Sequence, residues 1–180
     1  MIKNKTRYAI LGALSLMQGS GYDIKKFCDN SISHFWNENY GHIYPVLAQL
    51  EKEGCIEQVN QDSDNRRKVY QSTQKGKEEF TSWLMTPVEY QPARSELLLK
   101  LFYGNFAPKD KILLMLNEVR ESKKKQLDEF KRIEDSYIDD EKAQESEVYV
   151  YWVAPLRYGI IATEAFIKWC DETIDRIENK

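Results

Sequence analysis

The last part of the chain carries the strongest structural constraint, because apolar side chains recur there every four and then every three residues without a break. The seam consists of Tyr149, Val153, Leu156, Ile160, Thr163, Ile167, Cys170, Ile174 and Ile177. This spacing places the side chains along one side of a long α-helix, as in coiled coils. The opposite side is also apolar, with Trp152, Ala162, Phe166 and Trp169. A helix that is apolar nearly all round must be covered on more than one side.

A second long helix is predicted after Pro108, with a seam of the same period and a polar interruption. Its positions are Ile112, Leu116, Val119, Lys123, Gln126, Phe130, Ile133 and Tyr137. Two long helices alone cannot cover the last helix on every side, so we predict that a second subunit does. The predicted dimer interface consists of Leu156, Ile160, Ile167 and Ile174.

The first half of the chain has a different pattern, which predicts three short helices. The first extends from Thr6 to Met17, and the second follows the capping-box pair Ser20 and Asp23. The third starts near Gly41 or His42 and stops at Gly54. The side chains that we expect the second helix to bury are Tyr22, Ile24, Phe27 and Cys28.

A β-hairpin is indicated after Cys55, where the apolar period changes from 3.6 to 2 around the polar residues 61–68. A fourth helix opens at Gln74, and Pro87 and Pro92 mark a domain boundary. The predicted domains are residues 1–86 and 87–180. Three helices followed by a hairpin are the order of a winged helix-turn-helix. The predicted fold is therefore mainly α with a small β-hairpin: an N-terminal winged helix-turn-helix and a C-terminal helical, coiled-coil-like dimerisation domain.

In a winged helix-turn-helix the third helix enters the major groove of DNA and its exposed face contacts base edges. Ile43, Leu47 and Leu50 are predicted to face inward. The outward side chains are then Tyr40, His42, Tyr44, Gln49 and Lys52. Glutamine pairs with adenine, while tyrosine and histidine bond phosphates or base edges. Partial burial of the two tyrosines against Phe35 or Trp36 is the alternative interpretation.

A basic cluster, Arg66-Arg67-Lys68, occupies the predicted hairpin tip and would contact phosphates, with Lys5 and Arg7 of the first helix as further contacts. The net charge of −3 gives no general attraction to DNA, and residues 1–86 carry eleven Lys and Arg against ten Asp and Glu. DNA affinity would therefore come from a local cluster. A charged run alone is usually a solvated loop; its place after the third helix favours DNA contact.

Other functional classes lack support in the sequence. No run of eighteen apolar residues and no secretory signal occur, so we expect a cytoplasmic protein. The three cysteines are far apart and the two histidines have no third ligand at metal spacing, so we expect no metal, redox centre or cofactor. Without a nucleophile elbow or phosphate loop, we expect no enzyme. A helical scaffold protein, or a winged helix that binds protein or RNA, remains as the alternative.

Seven short motifs occur in order in the first half of the chain. They are Tyr8-Ala-Ile-Leu-Gly12, Ser20-Gly-Tyr-Asp-Ile24, Phe35-Trp36, Gly41-His-Ile-Tyr-Pro-Val-Leu47, Leu50-Glu-Lys-Glu-Gly54, Arg67-Lys-Val-Tyr70 and Thr73-Gln-Lys-Gly76. In order and spacing they resemble the PadR family of bacterial transcriptional regulators. Weaker markers in the second half are Arg94-Ser-Glu-Leu-Leu-Leu-Lys100, Leu156-Arg-Tyr-Gly159 and Trp169. These are similar to the longer subfamily with a virulence-activator-type α-helical C-terminal domain.

The resemblance implies a homodimeric regulator, commonly a repressor, that binds a palindromic operator in double-stranded DNA. It places third-helix contacts at Tyr40, His42 and Tyr44, and wing contacts at Arg67 and Lys68. Family wings often have Gly and Pro before the Arg-Lys pair, whereas this chain has Asp64-Asn65-Arg66.

The resemblance also implies release of DNA by a small aromatic molecule, such as a phenolic acid. Trp152, Arg157 and Tyr158 are the predicted effector site, because they offer aromatic walls and a cation for a carboxylate. The alternative is that the aromatic side chains belong to the core and that Arg157 pairs with a neighbouring carboxylate.

Overall fold

The computed structural model describes residues 5–59, 68–89, 94–138 and 146–179. The chain divides into two compact units, Met1–Tyr90 and Gln91–Lys180. Its described residues are mainly α-helical with one two-stranded antiparallel sheet, which confirms the predicted fold class. No helix in these ranges is both long and apolar enough to cross a membrane.

The elements of the first unit follow the predicted winged-helix order. They are α1 (Thr6–Leu16), α2 (Gly21–Ser31), α3 (Tyr40–Lys52), β1 (Ile56–Gln58), β2 (Tyr70–Ser72) and α4 (Gln74–Leu84). The second unit contains α5 (Glu96–Phe102), a 3-10 turn (Gly104–Phe106), α6 (Lys109–Ile138) and α7 (Tyr149–Glu178).

Local sequence signals set the helix ends of the first unit. The Ser20 hydroxyl accepts a hydrogen bond from the Asp23 amide (3.4 Å), and the Asp23 carboxylate accepts one from the Ser20 amide (2.9 Å), as predicted for a capping box. Asn39 caps α3 by accepting from the His42 amide at 3.0 Å, so α3 begins at Tyr40, just before the predicted start. Gly54 follows the end of α3 with a φ of +69°, which glycine adopts without a steric penalty.

The small sheet has a third backbone partner that the sequence did not predict. β1 and β2 pair with Ile56 opposite Ser72 and Gln58 opposite Tyr70. On its other edge Tyr70 exchanges two main-chain hydrogen bonds with Gly19, at 3.0 and 3.1 Å. The base of the hairpin is therefore fastened to the turn between α1 and α2.

Side chains from α1, α2, α3 and the strands form the core of the first unit. Those with at most 2% exposure include Ile10, Leu11, Ile24, Cys28, Ile43, Leu47, Leu50, Cys55 and Ile56. Trp83 of α4 stacks on Tyr8 with ring centroids 4.3 Å apart. Tyr22 is exposed and was wrongly predicted to be buried, because Ile24 and Cys28, four residues apart, form the inward stripe of α2.

The two long helices of the second unit form an antiparallel hairpin. The Lys109 ammonium donates to the Glu178 carbonyl (3.0 Å), and salt bridges join Arg120 to Asp171 (2.8 Å), Lys131 to Glu164 (3.1 Å) and Arg157 to Glu134 (2.9 Å). Residue numbers rise along α6 as their partners fall along α7, so the helices run in opposite directions.

The residues of the predicted dimer seam pack against α6 of the same chain. Ile160 and Ile174 are buried in the α6–α7 hairpin, together with Leu116 and Phe130 of α6. Leu156 and Ile167 are half-buried along the same seam. The assignment of these residues to a subunit interface is therefore wrong for Ile160 and Ile174, because the two heptad seams of one chain cover each other. Other parts of α7 remain exposed.

Candidate nucleic-acid interface

The outer face of α3 presents polar and aromatic side chains, as its spacing predicted. Ile43, Leu47 and Leu50 are buried, and the outward set Tyr40, His42, Tyr44, Gln49 and Lys52 is exposed. The core thus contacts α3 along one stripe and leaves its N-terminal turn at the surface. Main-chain amides at such a turn favour phosphate oxygens.

Tyr40 and Tyr44 support one another without being buried. Their rings stack with centroids 6.0 Å apart, and their exposures are 44% and 53%. The Lys25 ammonium lies 6.0 Å from the centroid of the Tyr40 ring. A Cβ on Gly21 would come within 2.6 Å of the Tyr44 ring, so that ring lies directly on the first residue of α2. Both phenol groups are thereby held at the surface by α2 and by each other.

His42 stands over a buried carboxylate that sequence reasoning missed. Its Nδ1 lies 3.6 Å from a carboxylate oxygen of Glu38 and 3.3 Å from the side-chain nitrogen of Asn39. Glu38 is 3% exposed and accepts hydrogen bonds from the Trp36 indole (2.6 Å) and the Thr6 hydroxyl (3.1 Å). A single acidic residue in a connection gives no periodic signal, so only the fold shows its burial.

Gln49 is exposed but already makes a bond within α3. Its amide donates to the Glu53 carboxylate at 2.8 Å, and this hydrogen bond is the first cause of the lowered pKa of Glu53. To contact a base, the Gln49 amide would release the Glu53 carboxylate, four residues along the helix, and bond to the edge of an adenine instead.

The base of the hairpin is joined to α3 through Glu51. The exposed Lys68 ammonium lies 3.8 Å from the Glu51 carboxylate. The Tyr70 hydroxyl shares a hydrogen bond with Glu51, and burial followed by the Glu51 charge raises the pKa of Tyr70. Lys68 thus lies beside α3, as a wing contact requires. Arg66 and Arg67 lie outside the described residues.

Arg7 and Lys5 have partners within the first unit. The largely buried Arg7 guanidinium lies 2.6 Å from Glu53, 2.6 Å from Glu79 and 3.4 Å from the Cys55 sulfur. Hydrogen bonding to Glu79 is the first cause of its raised pKa. Lys5 lies 3.4 Å from Glu89, beyond the end of α4. We therefore remove Arg7 from the candidate interface, because its guanidinium is largely buried between two carboxylates. Lys5 pairs with the exposed Glu89, so its contact with DNA stays a prediction.

The predicted effector residues do not converge. Trp152 and Tyr158 are six residues apart on α7, which puts their directions about 120° apart around the helix. Both are exposed, and Arg157 pairs with Glu134 at 2.9 Å. The alternative interpretation of Arg157, a pair with a neighbouring carboxylate, is confirmed.

Comparison with known proteins covers both units. Residues 10–82 match the transcriptional regulator PadR-like family, and residues 93–178 match the domain described as Virulence activator alpha C-term. The probable transcriptional regulator Rv1176c of Mycobacterium tuberculosis is 26% identical over 185 residues, covering 96% of this chain and 97% of that one. The negative transcriptional regulator PadR of Bacillus subtilis is 34% identical over 103 residues, 54% of this chain and 55% of that one.

Solved structures share the same fold. The PadR-like transcriptional regulator BC1756 from Bacillus cereus superposes with a TM-score of 0.77 at 28% identity, covering 96% of this chain and 98% of that one. Bacillus subtilis PadR gives TM-scores of 0.82 in complex with operator DNA and 0.80 in complex with p-coumaric acid, each at 22% identity and with the same coverage. The two family matches together extend from residue 10 to residue 178. Residues 10–82 therefore form a domain of the PadR-like family of transcriptional regulators, which are not enzymes, and residues 93–178 form a virulence-activator-type domain after it.

Proposed function

We propose that this regulator binds a palindromic operator in duplex DNA as a homodimer, with α3 in the major groove and the hairpin along the adjoining phosphates. The exposed, capped N-terminal turn of α3 carries the proposal. Tyr40, His42 and Tyr44 lie there on a buried core, while Lys68 at the hairpin base lies 3.8 Å from Glu51 in the last turn of the same helix. The Bacillus subtilis PadR structure with operator DNA supports the proposal through the shared fold.

The side chains divide into two chemical roles. Gln49 and the aromatic turn of α3 contact base edges and nearby phosphates, and so set sequence preference. Lys68, with Arg66 and Arg67, contacts phosphates and supplies affinity for any sequence. The overall negative charge makes this local cluster decisive.

We propose that the dimer forms through apolar surface that the α6–α7 hairpin leaves exposed. None of the residues of α5 is buried. The large exposed apolar side chains of this unit include Leu98, Leu99, Phe102, Tyr103, Phe106, Val150, Tyr151, Trp152, Tyr158 and Ile161. Extended apolar surface of this kind marks an interaction site. A second copy of the chain is the partner, because a palindromic operator requires two-fold symmetry.

We also propose repression that a small aromatic acid relieves. The named function of the Bacillus subtilis relative, a negative regulator, and its structure with p-coumaric acid support this role. In this chain a cavity of about 750 Å³ between α1 and the end of α4 is lined by Lys5, Tyr8, Trp83 and Glu89, among others. A bound carboxylate would replace Glu89 as the partner of Lys5, and the stacked rings would face the aromatic group.

The DNA proposal is tested with Arg67→Ala combined with Lys68→Ala. We expect weaker binding to all duplexes. The slope of log Kd against the logarithm of the salt concentration should be smaller by about one or two units, because two phosphate contacts are lost. Lys125→Ala with Lys168→Ala is the matched control, since both lysines are exposed on the second unit. An equal change in the control, binding without salt sensitivity, or preference for RNA would contradict the proposal and favour a scaffold or RNA-binding role.

The effector proposal is tested by calorimetry with p-coumaric acid. We expect Lys5→Ala to weaken binding by about tenfold, as loss of a charge-assisted hydrogen bond does. Arg157→Ala should leave it unchanged. Loss of binding in Arg157→Ala would instead indicate an effector site on α7. A wild-type titration without measurable heat of binding would contradict the effector proposal.

A further inference from the structure

Gly21 is the first residue of α2 and directly follows the Ser20 cap. Glycine in a helix costs stability relative to alanine, because its backbone loses more conformational freedom on folding. Glycine is favoured where φ is positive, but among the residues that the structure describes Gly54 is the one glycine with a positive φ. The backbone at position 21 would therefore accept alanine, and the missing side chain has another cause.

The space beside Gly21 is filled by two side chains of α3. A Cβ at position 21 would lie 2.6 Å from Cε1 and 3.1 Å from Cζ of Tyr44, and 3.2 Å from Cδ1 of Leu47. Carbon atoms in favourable contact are roughly 3.5–4.0 Å apart. Gly21 is itself buried, so these two side chains occupy the space that a larger residue would need.

The two neighbours of Gly21 differ in their freedom to move. Leu47 is 2% exposed and belongs to the core, whereas Tyr44 is 53% exposed. The first turn of α2 is fixed as well, because Ser20 and Asp23 form its capping box. A methyl group at position 21 would therefore displace the Tyr44 ring outward, by about 1 Å to restore van der Waals contact.

The position of the Tyr44 ring also affects that of Tyr40. The two rings stack with their planes 23° apart, and the Lys25 ammonium of α2 lies 6.0 Å from the centroid of the Tyr40 ring. Stacking of two rings is favourable beyond the burial of their surfaces, so Tyr40 depends on its neighbour. An outward movement of Tyr44 would shift both phenol hydroxyls on the exposed face of α3.

We propose that Gly21 is a positioning residue for DNA recognition: because it has no side chain, it holds the Tyr44 ring, and with it Tyr40, where the two phenol groups meet the duplex. The inference rests on the proposed function of α3. Gly21 acts through Tyr44, because its own atoms are buried. Alanine at this position should therefore change stability and affinity in opposite directions. The helix gains a better helix former, while the phenol groups are displaced.

The experiment compares wild type with Gly21→Ala, Tyr44→Ala and the double variant. Kd is measured by fluorescence anisotropy on a duplex that the wild-type protein selects from random sequences, and the melting temperature by circular dichroism. We expect Gly21→Ala to weaken binding about tenfold, as loss of a hydrogen bond to a charged group does, with a melting temperature no lower than that of wild type. Tyr44→Ala should weaken binding at least as much. The Kd of the double variant should lie within about twofold of that of Tyr44→Ala, because the two changes remove the same contact.

Gly104→Ala is the control for the exchange of glycine for alanine. A Cβ at position 104 would lie 3.6 Å from Ile112, an ordinary contact, so Kd should equal that of wild type. An equal loss of affinity in Gly104→Ala would overturn the inference.

The remaining outcomes separate this inference from the proposed function. A Gly21→Ala protein that melts below wild type or does not fold would overturn the inference, because the crowding would then reach Leu47 and the core. The same loss of affinity on adding Gly21→Ala to Tyr44→Ala would also overturn it, because the effect would not depend on the ring. Strong wild-type binding that either single variant leaves intact removes this inference alone. Wild-type protein that binds no duplex removes the proposed function as well.

Discussion

The two units of this chain bury their apolar side chains to very different extents. In the first unit three helices and two strands meet around side chains that are almost wholly inaccessible, such as Ile24, Ile43 and Leu50. In the second unit the α6–α7 hairpin buries a narrow seam that includes Leu116 and Ile160, while α5 buries none of its residues.

The difference indicates which unit can stand alone. The first has a complete core and leaves mostly polar groups on α3 for a ligand. The second has half of a core, because two helices cannot cover an apolar surface all round. We infer that the DNA-contacting unit depends on its own packing and the second unit on a partner.

The largest effect should come from Ile160→Asp. A carboxylate would be buried in the α6–α7 seam without a partner, which costs about 3–5 kcal/mol of unfolding free energy. Hydrogen exchange should rise along α6 and α7 while α1 to α4 remain protected. Loss of protection in both units together would contradict their independence.

The neighbouring substitution Ile161→Asp separates folding from assembly. Ile161 is 57% exposed, so a carboxylate there is solvated and the hairpin should remain folded. In the proposed dimer it would be buried twice by symmetry, and we expect the dimer dissociation constant to rise about 100-fold, or about 2.7 kcal/mol. Sedimentation over a concentration series measures this. A dimer of wild-type strength would place the interface elsewhere.

The adjacent positions 160 and 161 also show how far the sequence could predict the structure. Periodicity identified α7 and its seam, but it could not say whether the seam faces α6 or another subunit, since either satisfies the same spacing. Ser20 and Gly54 were predictable because capping depends on neighbours within a few residues. The internal ion pair of Arg7 was not predictable, because its partner Glu79 is distant in sequence. The sequence therefore indicated a basic residue available for DNA.

Arg7→Met tests that correction within the first unit. Methionine fills the space of the aliphatic stem, but Glu53 and Glu79 lose their counter-ion, and we expect a loss of about 2 kcal/mol in unfolding free energy. DNA affinity at low temperature should stay within about twofold of wild type, because Arg7 is not in the proposed interface. Full stability with a large loss of affinity would restore Arg7 as a DNA contact.

The smallest expected effect is on the thermal stability of the first unit at low pH. Gln49 first and then Arg7 lower the pKa of Glu53, so this carboxylate stabilises the first unit above the pKa of an unfolded glutamate. That stabilisation is lost as the pH falls through the lower, folded value. The melting temperature of wild type should therefore exceed that of Glu53→Gln at pH 6, and the gap should close towards pH 3. A constant gap would contradict the assignment.

The main-chain bonds between Gly19 and Tyr70 have a consequence for how regulators of this design diverge. They involve no side chain, and a Cβ at position 19 would come within 2.7 Å of Met17. Exchanges of exposed side chains on α3 or the hairpin thus leave the attachment of the hairpin to the turn between α1 and α2 unaltered. Descendants of one ancestor can acquire new base preferences while the anchoring of the hairpin is inherited.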